Sequence, residues 1–233
     1  MIYITGDMHG DITRFDDRAF KKLKKRDIVF VCGDFGFVWN GDDAEQKLLK
    51  KLGKKKYTIA FLDGRHENYD LLAQYPESEW NGGRVQVISG NLIHLLRGEI
   101  YKAEGKTFFA FGGGESPDHD IRMGAGTYFE AEIPTDEQLA NAEEHLRAVD
   151  YTVDYVLTHE PSGKANGFFS VDTPSNGINL IFNRFEQIIK FTRWYFGCLH
   201  IDRPLSRSHR AVFSELVPVE ELWKIRNGKH FKE

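Results

Sequence analysis

Cysteine is scarce in this sequence, because Cys32 and Cys198 are the only two among 233 residues and they form no CxxC pair. A disulfide scaffold is therefore excluded. So few thiols are typical of a protein from a reducing compartment, or of a chain with one functional cysteine. Collagen-like and disordered classes are excluded as well, since 41% of the residues are hydrophobic.

Long apolar runs are also absent. No stretch approaches the roughly 18 consecutive apolar residues that indicate a membrane-spanning helix. Met1 leads directly into the strand-like residues Ile2, Tyr3 and Ile4, without the basic region, apolar region and small-residue cleavage site of a secretory signal. The sequence therefore predicts a cytoplasmic protein that has no membrane partner.

An excess of positive charge is missing too, since the formal net charge at pH 7 is −4. Such a chain has no bulk attraction for nucleic acid or for an anionic membrane. Two basic runs, 21–26 and 50–56, lie at the ends of predicted amphipathic helices, where lysine complements the helix dipole. Because no aromatic residues alternate with them as a stacking platform requires, the sequence carries no strong signal for a nucleic-acid partner.

What the chain does have is a succession of short apolar runs separated by helical patterns, and it is long enough to bury a core without disulfides. The apolar runs predict strands at 1–5, 27–32, 57–62, 85–88, 107–111, 153–158, 194–196 and 211–217. Helical spacing predicts helices at 15–25, 44–52, 135–149 and 176–190. The third helix opens on Thr135, with Gln138 at the spacing of a capping box.

The order of these elements predicts the fold class. The first third alternates strand and helix, which favours parallel strands joined by crossover helices. From about residue 84 to 111, strands follow one another with glycine turns at Gly90, Gly98 and Gly105, which favours antiparallel pairing. We therefore predict an α/β protein with mixed sheets, in a single domain over residues 1–233.

Glycine and histidine stand out slightly, with 22 and nine residues. Many of them fall in five loops, each directly after a predicted strand. The loops read Gly6-Asp7-Met8-His9-Gly10, Gly33-Asp34-Phe35-Gly36, Gly64-Arg65-His66-Glu67-Asn68, Thr158-His159-Glu160-Pro161 and Gly197-Cys198-Leu199-His200. Ligands bind outside the carboxyl ends of parallel strands, and imidazole with carboxylate suits Zn, Mn or Fe. Each motif alone is weak, but together they predict one convergent metal site.

The order and spacing of these loops resemble the calcineurin-like metallophosphoesterases, whose pattern is DxH, GD, GNH followed by D or E, a His near TH-x-P, and GHxH. The resemblance covers roughly residues 1–202 and extends to a bacterial and phage branch through Phe111-Gly112-Gly113 and the segment after it. It implies two mixed sheets packed as a sandwich flanked by helices. It also implies hydrolysis of a phosphomonoester or phosphodiester by hydroxide that a divalent metal activates. The longer GDxVDRG motif of Ser/Thr protein phosphatases is not matched.

The resemblance implies places for one or two metal ions per chain, of Mn, Zn or Fe. The first would be held by Asp7, His9, Asp34 and His200, all of the expected residue types. The second would share Asp34 and add His159. Two matching positions of that second site depart from the family, because Arg65 replaces its Asn and Cys198 replaces its first GHxH histidine.

Three interpretations of these departures remain open. In the first, Asp34, His159 and Cys198 still bind a second metal, while Arg65 turns to the substrate phosphate, which a guanidinium matches in a bidentate fashion. In the second, the Arg65 cation replaces that metal, because arginine stays charged and does not ligate. In the third, catalysis is impaired, and the chain is a binding or scaffold module.

The remaining candidates concern the substrate. By the resemblance, His66 is the catalytic residue that protonates the leaving oxygen or stabilises the phosphoryl group. Arg65 departs from the family pattern, and we expect it to be a catalytic or substrate-binding residue because a guanidinium matches phosphate geometry. Arg122 and Asp118, after the glycine run 112–114, are expected to contact substrate. The sequence thus predicts a metal-dependent phosphoesterase, whose substrate identity and oligomeric state it leaves open.

Overall fold

The computed structural model describes residues 1–168 and 175–220. Within these ranges the strands are β1 Ile2–Gly6, β2 Ile28–Cys32, β3 Thr58–Phe61, β4 Glu77–Trp80, β5 Gly83–Ser89, β6 Leu92–Leu95, β7 Glu99–Ala103, β8 Lys106–Phe111, β9 Tyr155–Thr158, β10 Arg193–Phe196, β11 Arg203–Pro204, β12 His209–Ala211 and β13 Val217–Pro218. The α-helices are α1 Arg18–Lys22, α2 Asp43–Gly53, α3 Tyr69–Leu72, α4 His119–Ala125, α5 Asp136–Ala148, α6 Gly163–Asn166 and α7 Gly177–Ile188. Short 3-10 helices cover Ile12–Asp16 and Glu130–Glu132.

The first sheet has seven strands in the order β13-β1-β2-β3-β6-β5-β4. Its centre is parallel, with Gly6 opposite Cys32 at the ends of β1 and β2. The five residues of β2 are all buried, as expected of a parallel strand that is covered on both faces. The carboxyl ends of β1, β2 and β3 therefore lie side by side at one edge.

The second sheet has six strands in the order β11-β12-β10-β9-β8-β7. Strands β8, β9, β10 and β12 are parallel, and Phe196 at the end of β10 lies opposite Thr158 at the end of β9. This sheet thus presents its own set of carboxyl-terminal loops, including those that follow β9 and β10.

The two sheets pack face to face over a shared apolar core. Ile4 and Phe30 of the first sheet belong to the same buried cluster as Phe108 and Tyr195 of the second. The rings of Phe30 and Phe108 meet with centroids 4.9 Å apart. Apolar side chains of α2 cover the outer face of the first sheet, and those of α5 and α7 cover the outer face of the second. This confirms the predicted α/β sandwich of two mixed sheets flanked by helices.

The predicted helix at 15–25 is wrong as a single element. The chain instead forms the 3-10 helix Ile12–Asp16 and then α1, because the Asp17 side chain accepts a hydrogen bond from Ala19 N and starts a new helix. The other three predicted helices are confirmed as α2, α5 and α7 within a few residues at each end. The Thr135–Gln138 capping box of α5 is present.

The predicted strand at 211–217 is also wrong. It divides into the end of β12 and the start of β13, which belong to different sheets. The Asp202 carboxylate accepts hydrogen bonds from the backbone nitrogens of Phe213, Ser214 and Glu215, and so holds this stretch in a turn.

The antiparallel pairing predicted between 84 and 111 is present as two hairpins, β5–β6 and β7–β8, in different sheets. The chain crosses between the sheets near Gly98, so the two hairpins do not form one continuous meander. None of the helices in the described ranges combines the length and apolar character needed to traverse a bilayer. The single domain over 1–233 remains a prediction, and its residues 169–174 and 221–233 lie outside the described ranges.

Candidate metal centre

Five loops from the two sheets meet at one place. Three follow β1, β2 and β3, and two follow β9 and β10. Hydrogen bonds join the sets across the sandwich, because Cys198 N donates to the Asp7 carboxylate and the His159 Nδ1 lies 3.3 Å from Cys32 O. The convergence that parallel topology predicts is therefore present in the structure.

The first donor group consists of Asp7, His9 and His200, whose ligand atoms lie within 4.8 Å of one another. His9 Nε2 is 2.9 Å from His200 Nε2 and 3.9 Å from Asp34 Oδ2. The site thus points two imidazole nitrogens at each other, beside a carboxylate. This is a donor set that Zn, Mn and Fe accept.

The second donor group consists of Asp7, Asp34 and His159, and all three are buried. His159 Nδ1 faces a carbonyl oxygen, which only accepts, so this nitrogen carries the proton and Nε2 keeps its lone pair. Nε2 is buried without a hydrogen-bond partner and lies 3.4 Å from Asp34 Oδ1. Burial lowers the pKa of His159 to about 4, so the imidazole is neutral at pH 7. An orphaned lone pair beside two carboxylates fits a metal ligand.

The two carboxylates are held by backbone groups. Asp34 Oδ1 accepts from Arg65 N at 2.6 Å and from His66 N at 2.9 Å, and both Asp7 oxygens accept from Cys198 N. Burial alone would raise the pKa of Asp34, but attraction to His159, which is protonated below its own pKa, and to His66, together with the hydrogen bond from His66 N, outweighs burial and lowers the pKa to about 2. Burial, reinforced by Asp34, raises the pKa of Asp7 well above its usual value. Two buried carboxylates so close together favour a cation between them.

The backbone of the site is unusual. Five of the six proposed metal ligands have a positive φ, namely Asp7, His9, Asp34, Cys198 and His200. Non-glycine residues adopt this left-handed conformation rarely and at a cost, and such residues cluster at functional sites. The surrounding structure therefore forces these side chains to their positions.

Gly33 shows why one loop needs glycine. Its φ is +84°, and a Cβ at this position would clash with the His159 imidazole. The absent side chain lets β2 end against His159, so that Asp34 and His159 come together.

The two residues that depart from the family pattern lie against each other. Arg65 Nη2 donates to Cys198 Sγ at 3.2 Å. Within the part of the chain that the structure describes, Cys198 Sγ belongs to none of the donor groups that are close enough to share an ion. The structure therefore brings Cys198 to the site as expected, but places its sulfur on the Arg65 guanidinium.

His66 lies at the open side of the centre. Its side chain is 47% exposed, its Nε2 is 3.9 Å from Asp34 Oδ2, and its ring centroid is 5.2 Å from that of His9. The hydrogen bond from His66 N to Asp34 fixes the backbone from which the imidazole extends. The predicted catalytic residue is therefore accessible and adjacent to the proposed ligands.

Arg122, expected to contact substrate, is only 5% exposed. Its guanidinium donates to Glu132, Ser116, Thr127 O and, at 2.8 Å, to Arg65 O. Its donors therefore bind protein groups, and it holds the backbone oxygen of Arg65. Asp118 is exposed at the start of α4 and does not cap that helix with its side chain.

Two buried carboxylates at the site were not foreseen. Glu132 pairs with Arg122, and Glu160 accepts from Glu115 N and from two asparagines at the start of α7. Glu160 directly follows the proposed ligand His159 and precedes Pro161 in one of the five loops, and this position marks it in the sequence. Glu132 lies in no motif, and only the tertiary pairing reveals it.

Carboxylates and imidazoles gathered at the strand ends of a two-sheet α/β sandwich define a candidate metal-binding protein. The family model of the calcineurin-like phosphoesterases matches residues 1–202, and the chain belongs to that family. At the family level it is a metal-dependent hydrolase of phosphoester bonds. The resemblance inferred from the loop motifs is thereby confirmed.

Solved structures with a similar fold include a phosphopantetheinyl hydrolase from Mycobacterium tuberculosis, with 15% identity over 91% of this chain and 87% of that chain and a TM-score of 0.44. Another is a protein from Staphylococcus aureus described as a candidate 5′-nucleotidase, with 16% identity and a TM-score of 0.46. That match covers 91% of this chain and 48% of the other. Both scores are below 0.5, so the family assignment rests on the sequence match. No curated protein matches the chain.

Proposed function

We propose that this chain hydrolyses a phosphomonoester or phosphodiester with a divalent metal held by Asp7, His9, Asp34 and His200, and with His66 as the proton donor. One observation carries the proposal. The structure gathers the proposed metal donors on the same side as an exposed histidine, from loops up to 191 residues apart in sequence.

The residues present fit a metal ion, because two facing imidazole nitrogens and two buried carboxylates offer the nitrogen and oxygen donors that such ions take. When bound, a divalent metal supplies a Lewis acid that activates water to hydroxide near neutral pH and offsets phosphoryl charge. Asp7 and Asp34 provide the negative charge that retains it. The backbone bonds from Cys198 N, Arg65 N and His66 N keep the carboxylate oxygens in place.

His66 acts on the leaving group. Its imidazole is exposed beside the proposed ligands, so it reaches the leaving oxygen of a phosphoester placed over them. An imidazolium at this point donates its proton to that oxygen or binds a phosphoryl oxygen. The exposed position also leaves space for a substrate that is larger than inorganic phosphate.

The test compares chelated protein with protein reloaded with Mn²⁺ on chromogenic phosphomonoester and phosphodiester substrates. We expect activity only after reloading, and a loss of about 10²-fold or more in kcat for His66→Gln with unchanged Mn content. His145→Gln is the matched control, because His145 lies on α5 and bonds Gly98 O. Equal turnover by chelated and reloaded protein, or by His66→Gln and the wild type, would refute the assignment.

A further inference from the structure

The two departures from the family pattern form one contact, and this contact has a consequence for the number of metals. Arg65 Nη2 donates to Cys198 Sγ at 3.2 Å. A sulfur that serves as a metal ligand must keep a lone pair directed at the ion, about 2.3 Å away for zinc. Here the sulfur faces a cation that the chain itself supplies. Arginine retains its charge and cannot be a ligand.

Neighbouring groups hold both the backbone and the side chain of Arg65 in place. Its backbone nitrogen is fixed by Asp34 Oδ1, and its backbone oxygen is fixed by Arg122 Nη2. A Cβ at Gly114 would clash with Arg65 Cγ, so the glycine run 112–114 leaves room for this side chain. The guanidinium thus has a fixed position in the site, where it donates to Cys198.

The charges around Arg65 are those that a second metal would otherwise balance. The carboxylates of Glu160, Asp34 and Asp7 attract the guanidinium, and the Cys198 sulfur accepts its hydrogen bond. The carboxylates of Asp7 and Asp34 therefore interact both with the Arg65 guanidinium and with any ion bound nearby. A second dication next to Cys198 would face this positive charge across a buried gap, where like charges repel strongly.

Arg65 also has a free donor. Its Nε is buried and has no hydrogen-bond partner, although a buried N–H normally finds one. A phosphoryl oxygen is the kind of acceptor that an arginine N–H takes up with high strength. The Arg65 backbone nitrogen is bonded to Asp34, so this donor belongs to one of the loops that carry the proposed ligands.

We propose that the Arg65 guanidinium, seated on Cys198, replaces the second metal of the family, so that the chain binds a single divalent ion and uses Arg65 as its second positive charge toward the phosphoryl group. The inference rests on the proposed function. It assigns the single ion to Asp7, His9, Asp34 and His200. Asp7, Asp34 and His159 form the rival second position.

Metal counting tests the proposal without an activity assay. Chelated full-length protein is reloaded with Mn²⁺ alone, desalted and analysed for Mn per chain, and its electron paramagnetic resonance spectrum is recorded. We expect one Mn per chain with the hyperfine pattern of an isolated ion. Two Mn per chain, with the more closely spaced hyperfine lines of a coupled pair of ions, would overturn the inference and leave the proposed function standing. Protein that binds no Mn would overturn both.

The double variant Arg65→Asn with Cys198→His restores the family residues at both positions. We expect its Mn content to rise toward two per chain, with a coupled spectrum and a faster phosphodiester turnover. An unchanged content of one, in protein that is folded by circular dichroism, would contradict the inference.

The single variant Arg65→Gln tests the positive charge of Arg65 by itself. Unlike the double variant, it leaves Cys198 unchanged. At a Mn²⁺ concentration that loads one ion per chain, we expect a fall of about 10²-fold in kcat/KM, because a preorganised donor to the phosphoryl group is lost. A kcat/KM equal to that of the wild type would overturn the role of Arg65.

Discussion

His9 and His200 face each other across the candidate metal centre with their Nε2 atoms 2.9 Å apart, although 191 residues separate them in the chain. One follows β1 of the first sheet, and the other follows β10 of the second. Both residues have a positive φ, so the backbone is constrained to bring the rings together. Two imidazole nitrogens at this distance share one proton or one cation, and an ion that binds both links the two sheets.

Metal binding should therefore stabilise the fold. A ligand at about 100 times its Kd adds about 2.7 kcal/mol, which for a chain of this size corresponds to a rise in Tm of roughly 5–10 °C. Adding Mn²⁺ to chelated protein should produce this shift in differential scanning fluorimetry, and His200→Gln should abolish most of it. Mg²⁺-free buffer with added chelator is the baseline. A wild-type Tm that is independent of Mn²⁺ would exclude an ion bridging the sheets.

Gly33 and Gly82 form a matched pair for testing the contact at His159. Their φ values are +84° and +85°, but a Cβ on Gly33 would clash with His159, whereas one on Gly82 meets nothing within 4 Å. Gly82→Ala should cost about 1–2 kcal/mol from the left-handed backbone alone. Gly33→Ala should lower the free energy of unfolding by at least about 2 kcal/mol more than Gly82→Ala, measured by urea unfolding. It should also reduce the Mn content, measured by elemental analysis. Equal losses of unfolding free energy in the two variants would show that the His159 side chain moves aside without cost.

The sequence is sufficient to predict the loops of the centre because parallel strands place their carboxyl ends at a common edge. Asp7, His9 and Asp34 could be assigned to one site from their positions after β1 and β2 alone. The pairing of the two sheets is not encoded in any local pattern. The contact of His9 with His200, and that of Arg65 with Cys198, depends on the packing of one sheet on the other.

Local patterns also fail where a side chain overrides them. The apolar run at 211–217 predicts a strand, yet Asp202 binds three successive backbone nitrogens there and turns the chain. Arg122 follows the glycine run 112–114, and this position predicts that it contacts substrate. Its burial follows from Glu132, which nothing in the sequence marks as its partner.

The buried pair of Arg122 and Glu132 should position Arg65. Glu132→Gln leaves the buried Arg122 cation without its counter-ion, which costs about 3–5 kcal/mol in unfolding free energy. At a temperature where the variant is still folded, kcat/KM should fall roughly tenfold to a hundredfold, because Arg122 holds the Arg65 carbonyl. Mn content should not change, which distinguishes positioning from loss of the site.

Glu130→Gln is the control for this prediction, since Glu130 is exposed two residues away. It should change stability by less than about 0.5 kcal/mol and leave kcat/KM unaltered. If Glu132→Gln behaves in the same way, Arg122 does not support Arg65.

The pair of Asp63 and Arg97 predicts how stability depends on pH. Both side chains are buried, and Asp63 Oδ2 accepts from Arg97 Nε at 2.8 Å while its other oxygen lies 3.1 Å from His94 Nε2. Burial alone would raise the pKa of Asp63, but Arg97 and His94 outweigh it and hold the pKa well below the ordinary value. The folded state therefore favours the ionised carboxylate more than the unfolded chain does.

A group with a lowered folded pKa stabilises the protein above its unfolded pKa, about 3.9 for Asp, and loses this contribution as the pH falls toward the folded pKa. Asp63→Asn should thus cost about 3–5 kcal/mol at pH 7, where Arg97 is left unpaired. The difference from the wild type should stay constant down to about pH 5 and shrink below about pH 4. Urea unfolding across this range measures it, with the exposed Asp70→Asn as control. A difference that grows on acidification would mean that Asp63 is protonated in the folded protein.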